Sequence, residues 1–196
     1  AKTEDLSQEQ PIEEDWYVEG LEWGESLGAD ISSSSLGYID WYDSEDLDGQ
    51  TAITTLAVNI ATENGMICAT AAGNSGADGL VAPADAFDVI TCGAVDSDGL
   101  LTWFSSQGPT ADGRIKPEVC ARGLYTYCAV PSYDQYGEAH GTSLSTPLIA
   151  GACAVILSAR PEWTPQMVRE SLLYSSDNAD NPNNQYGWGI VNVMDA

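Results

Sequence analysis

A serine at the start of a long apolar run is the feature of this sequence best suited to chemistry. The segment GTSLSTPLIAGACAVILSA places Ser143 between a small-residue turn and a predicted helix. The first backbone N–H groups of a helix have no partner within it, and the helix dipole is positive at that end. Negative charge that develops near Ser143 would be stabilised there, as a nucleophilic hydroxyl requires. A serine at such a position can equally serve only as a helix cap.

An asparagine after a second apolar run could assist that chemistry. The segment ATAAGNSG reads as the end of a buried strand, and it closes in three small residues and Asn74. The small residues Ala71, Ala72 and Gly73 would let a substrate approach the backbone closely. The Asn74 carboxamide could then donate a hydrogen bond to a tetrahedral oxyanion. The alternative interpretation of these residues is an Asn-Ser-Gly turn.

The two segments together resemble the serine and asparagine motifs of the subtilisin-like serine peptidases. Gly-Thr-Ser-Leu-Ser-Thr-Pro, from Gly141 to Pro147, is similar to the family's serine motif, and Ala-Ala-Gly-Asn is similar to its asparagine motif. The resemblance implies that Ser143 is the nucleophile and that its own backbone N–H is one oxyanion donor. It implies that Asn74 is the other donor. The substrate would be a protein or peptide.

Weaker segments with the same resemblance follow the family's order along the chain. Ser35-Leu36-Gly37 looks like the strand edge that pairs with an extended peptide, and Ala82-Pro83-Ala84 resembles the segment beside the specificity pocket. The stretches 104–109 and 186–192 look like structural parts of the domain. The substrate-binding residues that the resemblance implies are Ser35, Leu36, Gly37, Ala71, Ala72, Gly73 and Thr142.

The Asp and His that this family uses with its serine have no counterpart here. In the family they precede all of these segments, in Asp-Thr-Gly and His-Gly-Thr-His settings, and neither sequence is present. The one histidine, His140, is three residues before Ser143 and would have to bend back over a tight turn to act as a base. We therefore expect His140 to line the cleft or lie in a loop.

Three explanations of the missing pair remain open: a cleaved upstream fragment that stays associated, a deliberately shortened chain, and a pseudopeptidase. We expect residues 1–196 to be the C-terminal two-thirds of a subtilisin-like peptidase domain, inactive alone, with Asp and His supplied by an upstream segment or a partner chain. A shortened parallel sheet would have an open edge, which also predicts a partner polypeptide. The alternative function is a non-catalytic module that binds peptides.

The predicted elements favour an α/β fold. Apolar runs predict buried strands at MICATA, DVITCGAV and YTYCAV, a helix begins near Ser143, and Thr164-Pro165 opens another. Alternation of helices with such strands favours three layers, a mostly parallel sheet flanked by helices. Residues 1–15 are predicted to be an acidic segment outside the core.

Two earlier helices are predicted from apolar residues at helical spacing. The apolar positions of the first are Trp16, Gly20, Trp23 and Leu27. The inner face of the second is predicted at Ile53, Leu56, Ala57 and Ile60.

The composition excludes several classes of protein. A formal charge of -24, from 30 acidic and 6 basic residues, argues against binding to nucleic acid or anionic lipid. We predict no membrane span, because no stretch reaches about 18 uninterrupted apolar residues. No cofactor is required by the resemblance.

The acidic N-terminal third is predicted to be a solvated face. The alternative is a structural calcium ion bound at Glu13, Glu14 and Asp15 or at Asp43, Asp46 and Asp48. Family habit and the acidic surface predict a secreted or extracellular location.

The five cysteines show no metal-binding or redox spacing. Four are predicted to be small buried hydrophobic residues, because they lie in apolar runs: Cys68, Cys92, Cys120 and Cys153. Cys128 is the only one that we consider for a disulfide bridge.

Overall fold

The computed structural model describes residues 3–4, 9–130 and 135–196. Its helices are α1 (Ile12–Ser26), α2 (Ile53–Glu63), α3 (Thr142–Ala159) and α4 (Pro165–Ser175). Short 3-10 turns lie at Ser44–Asp46 and Gly76–Asp78. The strands are β1 (Ile31–Ser34), β2 (Ile67–Ala71), β3 (Ile90–Val95), β4 (Val119–Arg122), β5 (Thr126–Val130) and β6 (Gln135–Ala139).

The first four strands form a parallel sheet in the order β1-β2-β3-β4. This confirms the predicted α/β architecture with a parallel sheet flanked by helices. The YTYCAV segment is a strand, β5, but it pairs with β6 in a separate antiparallel hairpin. That hairpin precedes α3 directly in the chain.

Each face of the sheet is covered by a pair of helices. Because successive side chains of a strand point to opposite faces, β2 contributes to two cores. Ile67 and Ala69 pack in the core that includes α3 and α4, whereas Cys68 packs in the core that includes α1 and α2. Both β2 and β3 are buried along their whole length, as a sheet covered on both faces requires.

The helical stripes predicted for α1 and α2 are wrong. Helix α1 begins at Ile12, so residues 12–15 of the predicted acidic segment are helical, and α1 buries Glu13, Glu14 and Tyr17. Helix α2 buries Thr54, Thr55, Val58, Ala61 and Thr62. The apolar residues predicted to face inward are exposed instead, as Trp23 (55% exposed) and Ile60 (57% exposed) show.

The physical reason is that polar side chains on the buried faces have partners within the protein. The Glu14 carboxylate accepts hydrogen bonds from Trp41, Tyr42 and Thr54. The Thr55 hydroxyl donates to Asp85 at 2.6 Å. Once hydrogen-bonded, such groups are tolerated in the interior. The apolar residues Ile53, Leu56 and Ile60 instead line a groove shared by α1 and α2.

One edge of the sheet is open in the part of the chain that the structure describes. At the far edge, β4 is covered by the C-terminal segment, where Cys120 N donates to Gly189 O at 2.8 Å and Val191 N to Cys120 O at 3.2 Å. Among the described strands, β1 pairs with β2 alone. Its outer edge therefore presents unpaired backbone groups.

Helix α3 is the one described helix whose length and mean hydropathy, 1.6, reach those of a membrane span. It packs across the sheet, and Ile149, Cys153 and Ile156 lie in the core. The core helix of an α/β domain has the same composition. Its opposite side is apolar and exposed at Leu148 and Val155.

A buried ionic cluster joins the segment just before β4 to α4. The Lys116 ammonium is 2.8 Å from the Glu118 carboxylate, and both side chains are only 1% exposed. Arg169 of α4 contacts the same carboxylate at 2.7 Å. Thr91 N of β3 also donates to it, at 2.9 Å. A single carboxylate thus holds two cations and a neighbouring strand.

All five cysteines have free thiols. Cys68, Cys92, Cys120 and Cys153 are buried, as predicted, and Cys128 on β5 is partly buried. Burial raises the pKa of the Cys120 and Cys153 thiols to about 12, so both stay protonated at neutral pH.

Candidate active site

The candidate site lies where the carboxyl ends of β1 and β2 meet the N-terminus of α3. In a parallel sheet the residues that follow neighbouring strands emerge at the same edge, which is where such folds place their sites. The segment 35–37 follows β1, and the segment 72–74 follows β2. Helix α3 lies against both strands, so its first turn reaches the same place.

Asn74 is held beside the first residue of α3. Its Oδ1 accepts hydrogen bonds from the Thr142 backbone N–H at 2.9 Å and the Thr142 hydroxyl at 3.1 Å. A backbone N–H can only donate, so these bonds determine which atom of the carboxamide faces Thr142. Asn74 is an exposed residue, and its Nδ2 group has no hydrogen-bond partner among the described residues, so this group is available as a donor.

The residues on either side of Asn74 are held in place by hydrogen bonds. Gly73 O accepts hydrogen bonds from Ser106 N at 3.1 Å and from the Thr142 hydroxyl at 3.2 Å. Ser75 N donates to the Ser106 hydroxyl at 3.1 Å. Ser106 belongs to the 104–109 stretch, and its contacts support the structural role predicted for that stretch.

Ser143 is the second residue of α3 and is partly buried. Its hydroxyl donates to Ser35 O at 3.2 Å, and the Ser35 hydroxyl donates to Ser143 O at 2.9 Å. The Ser143 N–H lies in the first helical turn, where amides have no partner within the helix. The Ser143 hydroxyl, the Ser143 backbone N–H and the positive end of the α3 dipole therefore lie close together.

Leu36 and Gly37 have the free backbone that strand addition needs. Among the described residues, neither makes a backbone hydrogen bond. The backbone of Ala72, by contrast, is already engaged with Cys92 O and Val81 N. Of the two segments, 35–37 is thus the one that can pair with an extended peptide.

Thr142 has a different place from the one expected. Its side chain is fully buried, and its hydroxyl contacts Gly73 O and Asn74 rather than the open groove. Ala71 and Ala72 are also buried, and they give the groove wall small side chains. We assign Thr142 a positioning role in place of the substrate contact predicted for it.

His140 lies in the loop between β6 and α3, with an exposed side chain. Its Nδ1 accepts the Tyr125 N–H at 3.1 Å, and its ring packs edge-to-face on the Tyr125 ring at 4.7 Å. The Ser143 hydroxyl donates elsewhere, to Ser35 O. These contacts fit the loop role expected for His140, and they leave the Ser143 hydroxyl without a base among the described residues.

Three of the acidic groups predicted as calcium ligands accept hydrogen bonds from other residues of the protein. Glu14 is saturated by neutral donors, Asp46 accepts from Asp43 N, and Asp48 accepts from Gln50 N and Thr51 N. A different set of carboxylates lies together, with oxygens within 4.8 Å of one another: Glu4, Glu9 and Glu13. Partial burial and repulsion from these neighbours raise the pKa of Glu9.

Sequence reasoning missed one contact and one residue of the site. Ser35 was assigned to substrate binding, and its hydroxyl link to α3 was not foreseen. Val81, which lies between the two groove walls, was not singled out at all. Its position one residue before Ala82-Pro83-Ala84 was a signal, because that segment resembles the border of the specificity pocket.

Comparison with known sequences agrees with this geometry. Residues 4–189 match the family model described as the Subtilase family. Subtilisin E of Bacillus subtilis (strain 168) is 36% identical over 185 residues, which cover 92% of this chain and 44% of that protein. Serine protease AprX of the same organism is 35% identical over 207 residues, which cover 90% of this chain and 46% of that protein. The chain therefore spans less than half the length of these relatives.

Solved structures show the same relationship. The self-cleaved protease domain of PatA matches with a TM-score of 0.77 and 28% identity, covering 94% of this chain and 67% of that one. The prenylagaramide maturation protease PagA matches with a TM-score of 0.78 and 26% identity, covering 97% of this chain and 68% of that one. About a third of each of those domains has no counterpart in residues 1–196.

Proposed function

Because this chain belongs to the subtilase family, we propose that it is the nucleophile-bearing, C-terminal part of a serine endopeptidase domain. The observation that carries the proposal is the orientation of Asn74 next to Ser143. Thr142 donates hydrogen bonds to the Oδ1 atom of the carboxamide, so Nδ2 remains available as a donor beside the N-terminus of α3. A module that only binds peptides has no need of a hydroxyl and an oxyanion donor at one place.

In the proposed reaction an extended peptide pairs with the free backbone of Leu36 and Gly37. The Ser143 Oγ attacks the scissile carbonyl carbon and loses its proton to a histidine from outside these 196 residues. The carbonyl oxygen becomes an oxyanion between Asn74 Nδ2 and Ser143 N–H. Collapse breaks the C–N bond, the leaving amine takes the proton, and water then hydrolyses the acyl-enzyme. No step uses a metal or a cofactor.

The Asp and His are proposed to come from an upstream segment or a partner chain that docks on β1. Three observations support this origin: the open outer edge of β1, the exposed apolar residues Leu148 and Val155 on α3, and the share of the related protease domains that this chain leaves unmatched. Docking a strand and its helices there would bury unpaired backbone and apolar surface together. An extracellular location is included in the proposal and agrees with the acidic composition.

Labelling with a fluorophosphonate tests the proposal, because this reagent modifies only an activated serine. We expect labelling of Ser143 in the complete natural protein that contains these residues, and none after Ser143→Ala. The matched control Ser97→Ala, which removes an exposed hydroxyl far along the chain, should label normally. Residues 1–196 alone should label poorly, because without the base and its carboxylate only about 10³–10⁴-fold catalysis over water survives.

The opposite result would support the second candidate, a non-catalytic peptide-binding module. In that case the complete protein would bind peptides but would not react with the fluorophosphonate at Ser143.

A further inference from the structure

A short segment ties the two walls of the groove together. The segment 81–82 is hydrogen-bonded on one side to the wall at 72–74 and on the other to residue 38, which follows the wall at 35–37. Val81 N donates to Ala72 O at 3.2 Å, which attaches the segment to one wall. Tyr38 and Ala82 exchange both backbone hydrogen bonds, at 2.9 and 3.0 Å, which attaches it to the other. Val81 thus lies in a segment whose backbone is hydrogen-bonded to both sides of the groove.

The Val81 side chain fills the space between the glycines of the two walls. A methyl group added to Gly37 would overlap Val81 Cγ2 and would lie 3.0 Å from Val81 Cβ. A methyl group added to Gly73 would lie 2.7 Å from Ser106 Oγ and 3.2 Å from Val81 Cγ1. The two methyl groups of one valine therefore reach toward opposite walls. The space beside Gly37 is occupied by this isopropyl group, and the space beside Gly73 is shared by it and the Ser106 side chain.

This space is where a substrate side chain has to go. The residue whose carbonyl is attacked carries its side chain on the adjacent Cα, so that side chain enters between the walls beside Ser143 and Asn74. Val81 cannot turn aside easily, because branching at Cβ limits its rotamers and its backbone is bonded to both walls. A large side chain would have to displace it.

We propose that Val81 determines specificity and restricts the residue before the cleaved bond to a small side chain: glycine, alanine or serine. The inference rests on the proposed function, since it assumes that Ser143 attacks a peptide in this groove. It goes further by naming the class of peptide that is cleaved and the residue responsible.

The test compares peptides that differ only in the residue before the scissile bond, alanine or phenylalanine, with the complete natural protein as the enzyme. One misfitted methylene changes kcat/KM by about 10–200-fold, so we expect a preference for alanine of about tenfold or more. Val81→Gly should raise kcat/KM for the phenylalanine peptide by about tenfold or more, and Val81→Ala should give an intermediate gain. The ratio of the two substrates does not depend on how much of each variant folds.

Val89→Ala is the matched control, because this valine is fully buried in the core with α1 and α2. Its substrate ratio should equal that of the unmodified protein. The inference is overturned if the unmodified protein prefers phenylalanine, or if Val81→Gly and Val81→Ala both leave the ratio unchanged while Ser143 still reacts with the fluorophosphonate. If Ser143 does not react and neither peptide is cleaved, the proposed function fails and this inference fails with it.

Discussion

The Ser143 carbonyl oxygen accepts a hydrogen bond from the Ser35 hydroxyl, 108 residues away in sequence, at 2.9 Å. In a regular helix this carbonyl would accept the N–H of the residue four positions later. That residue is Pro147, which has no N–H. The proline leaves the Ser143 carbonyl without a helical donor, and the Ser35 hydroxyl in the loop after β1 supplies one. The wall of the groove is thereby attached to α3.

Removing the Ser35 hydroxyl should loosen this attachment. We expect Ser35→Ala to lower the free energy of unfolding by about 0.5–1.5 kcal/mol, because one partly buried acceptor loses its donor. The measurement is urea unfolding of the complete protein in a Ser143→Ala background, which prevents self-digestion and keeps the carbonyl. Ser33→Ala, which changes an exposed serine on β1, the strand just before Ser35, is the control and should have little effect.

The explanation by way of Pro147 has its own test. Pro147→Ala restores an N–H that can bond to the Ser143 carbonyl, so Ser35→Ala should cost less in a Pro147→Ala background than alone. The two changes should be non-additive by about 0.5 kcal/mol or more. Strictly additive effects would show that the helix amide and the Ser35 hydroxyl do not serve the same acceptor.

The Asn74 carboxamide should act in the transition state and not in substrate binding. We expect Asn74→Ala to lower kcat by about 10²–10³-fold with little change in KM, measured on a peptide substrate with the complete protein. Asn74→Asp keeps oxygens that can accept from Thr142 but has no N–H, so it should lose at least as much. Ser75→Ala alters the exposed neighbour, whose backbone N–H rather than its hydroxyl makes the contact to Ser106, and it should retain activity. An active Asn74→Asp variant would contradict the role of Nδ2.

The buried cluster around Glu118 should give stability a characteristic dependence on pH. Burial alone would raise the pKa of Glu118, but Lys116 and Arg169 lower it overall. Burial lowers the pKa of Lys116 to about 8, since its one counter-ion is shared with Arg169. The folded pKa of this lysine is below the unfolded one, so the unfolded chain binds more protons between them. Its contribution to stability therefore rises with pH from about 8 toward the unfolded value of about 10.4.

Glu118→Gln would leave Lys116 and Arg169 as buried or half-buried cations without this carboxylate. We expect a loss of about 3–5 kcal/mol in the free energy of unfolding at pH 7. The loss should be smaller near pH 9.5, because without Glu118 the pKa of Lys116 falls further and the lysine is neutral there. Asp112→Asn, which breaks an exposed ion pair with Arg114, is the control and should cost less than about 1 kcal/mol. An equal loss at both pH values for Glu118→Gln would contradict this account.

Some elements could be predicted because their signals are local. The apolar runs that became β2 and β3 needed no information about neighbours, and Thr164 caps α4 by accepting the Met167 N–H, with Pro165 at the first helical position. The serine and asparagine motifs were equally visible in the chain. Even so, which face of α1 and α2 is buried could not be predicted, because hydrogen bonds to Glu14 and Asp85 from distant residues decide it.

The sequence by itself determined the family, the parallel sheet and the identity of the two residues proposed for catalysis, since each is carried by a contiguous run of residues. Only the tertiary structure decided how Asn74 is turned, which donor satisfies the Ser143 carbonyl and how much room Val81 leaves between Gly37 and Gly73. Each of these depends on atoms that are far apart in the chain and meet where β1, β2 and α3 converge. Packing creates such distances, and no local pattern encodes them.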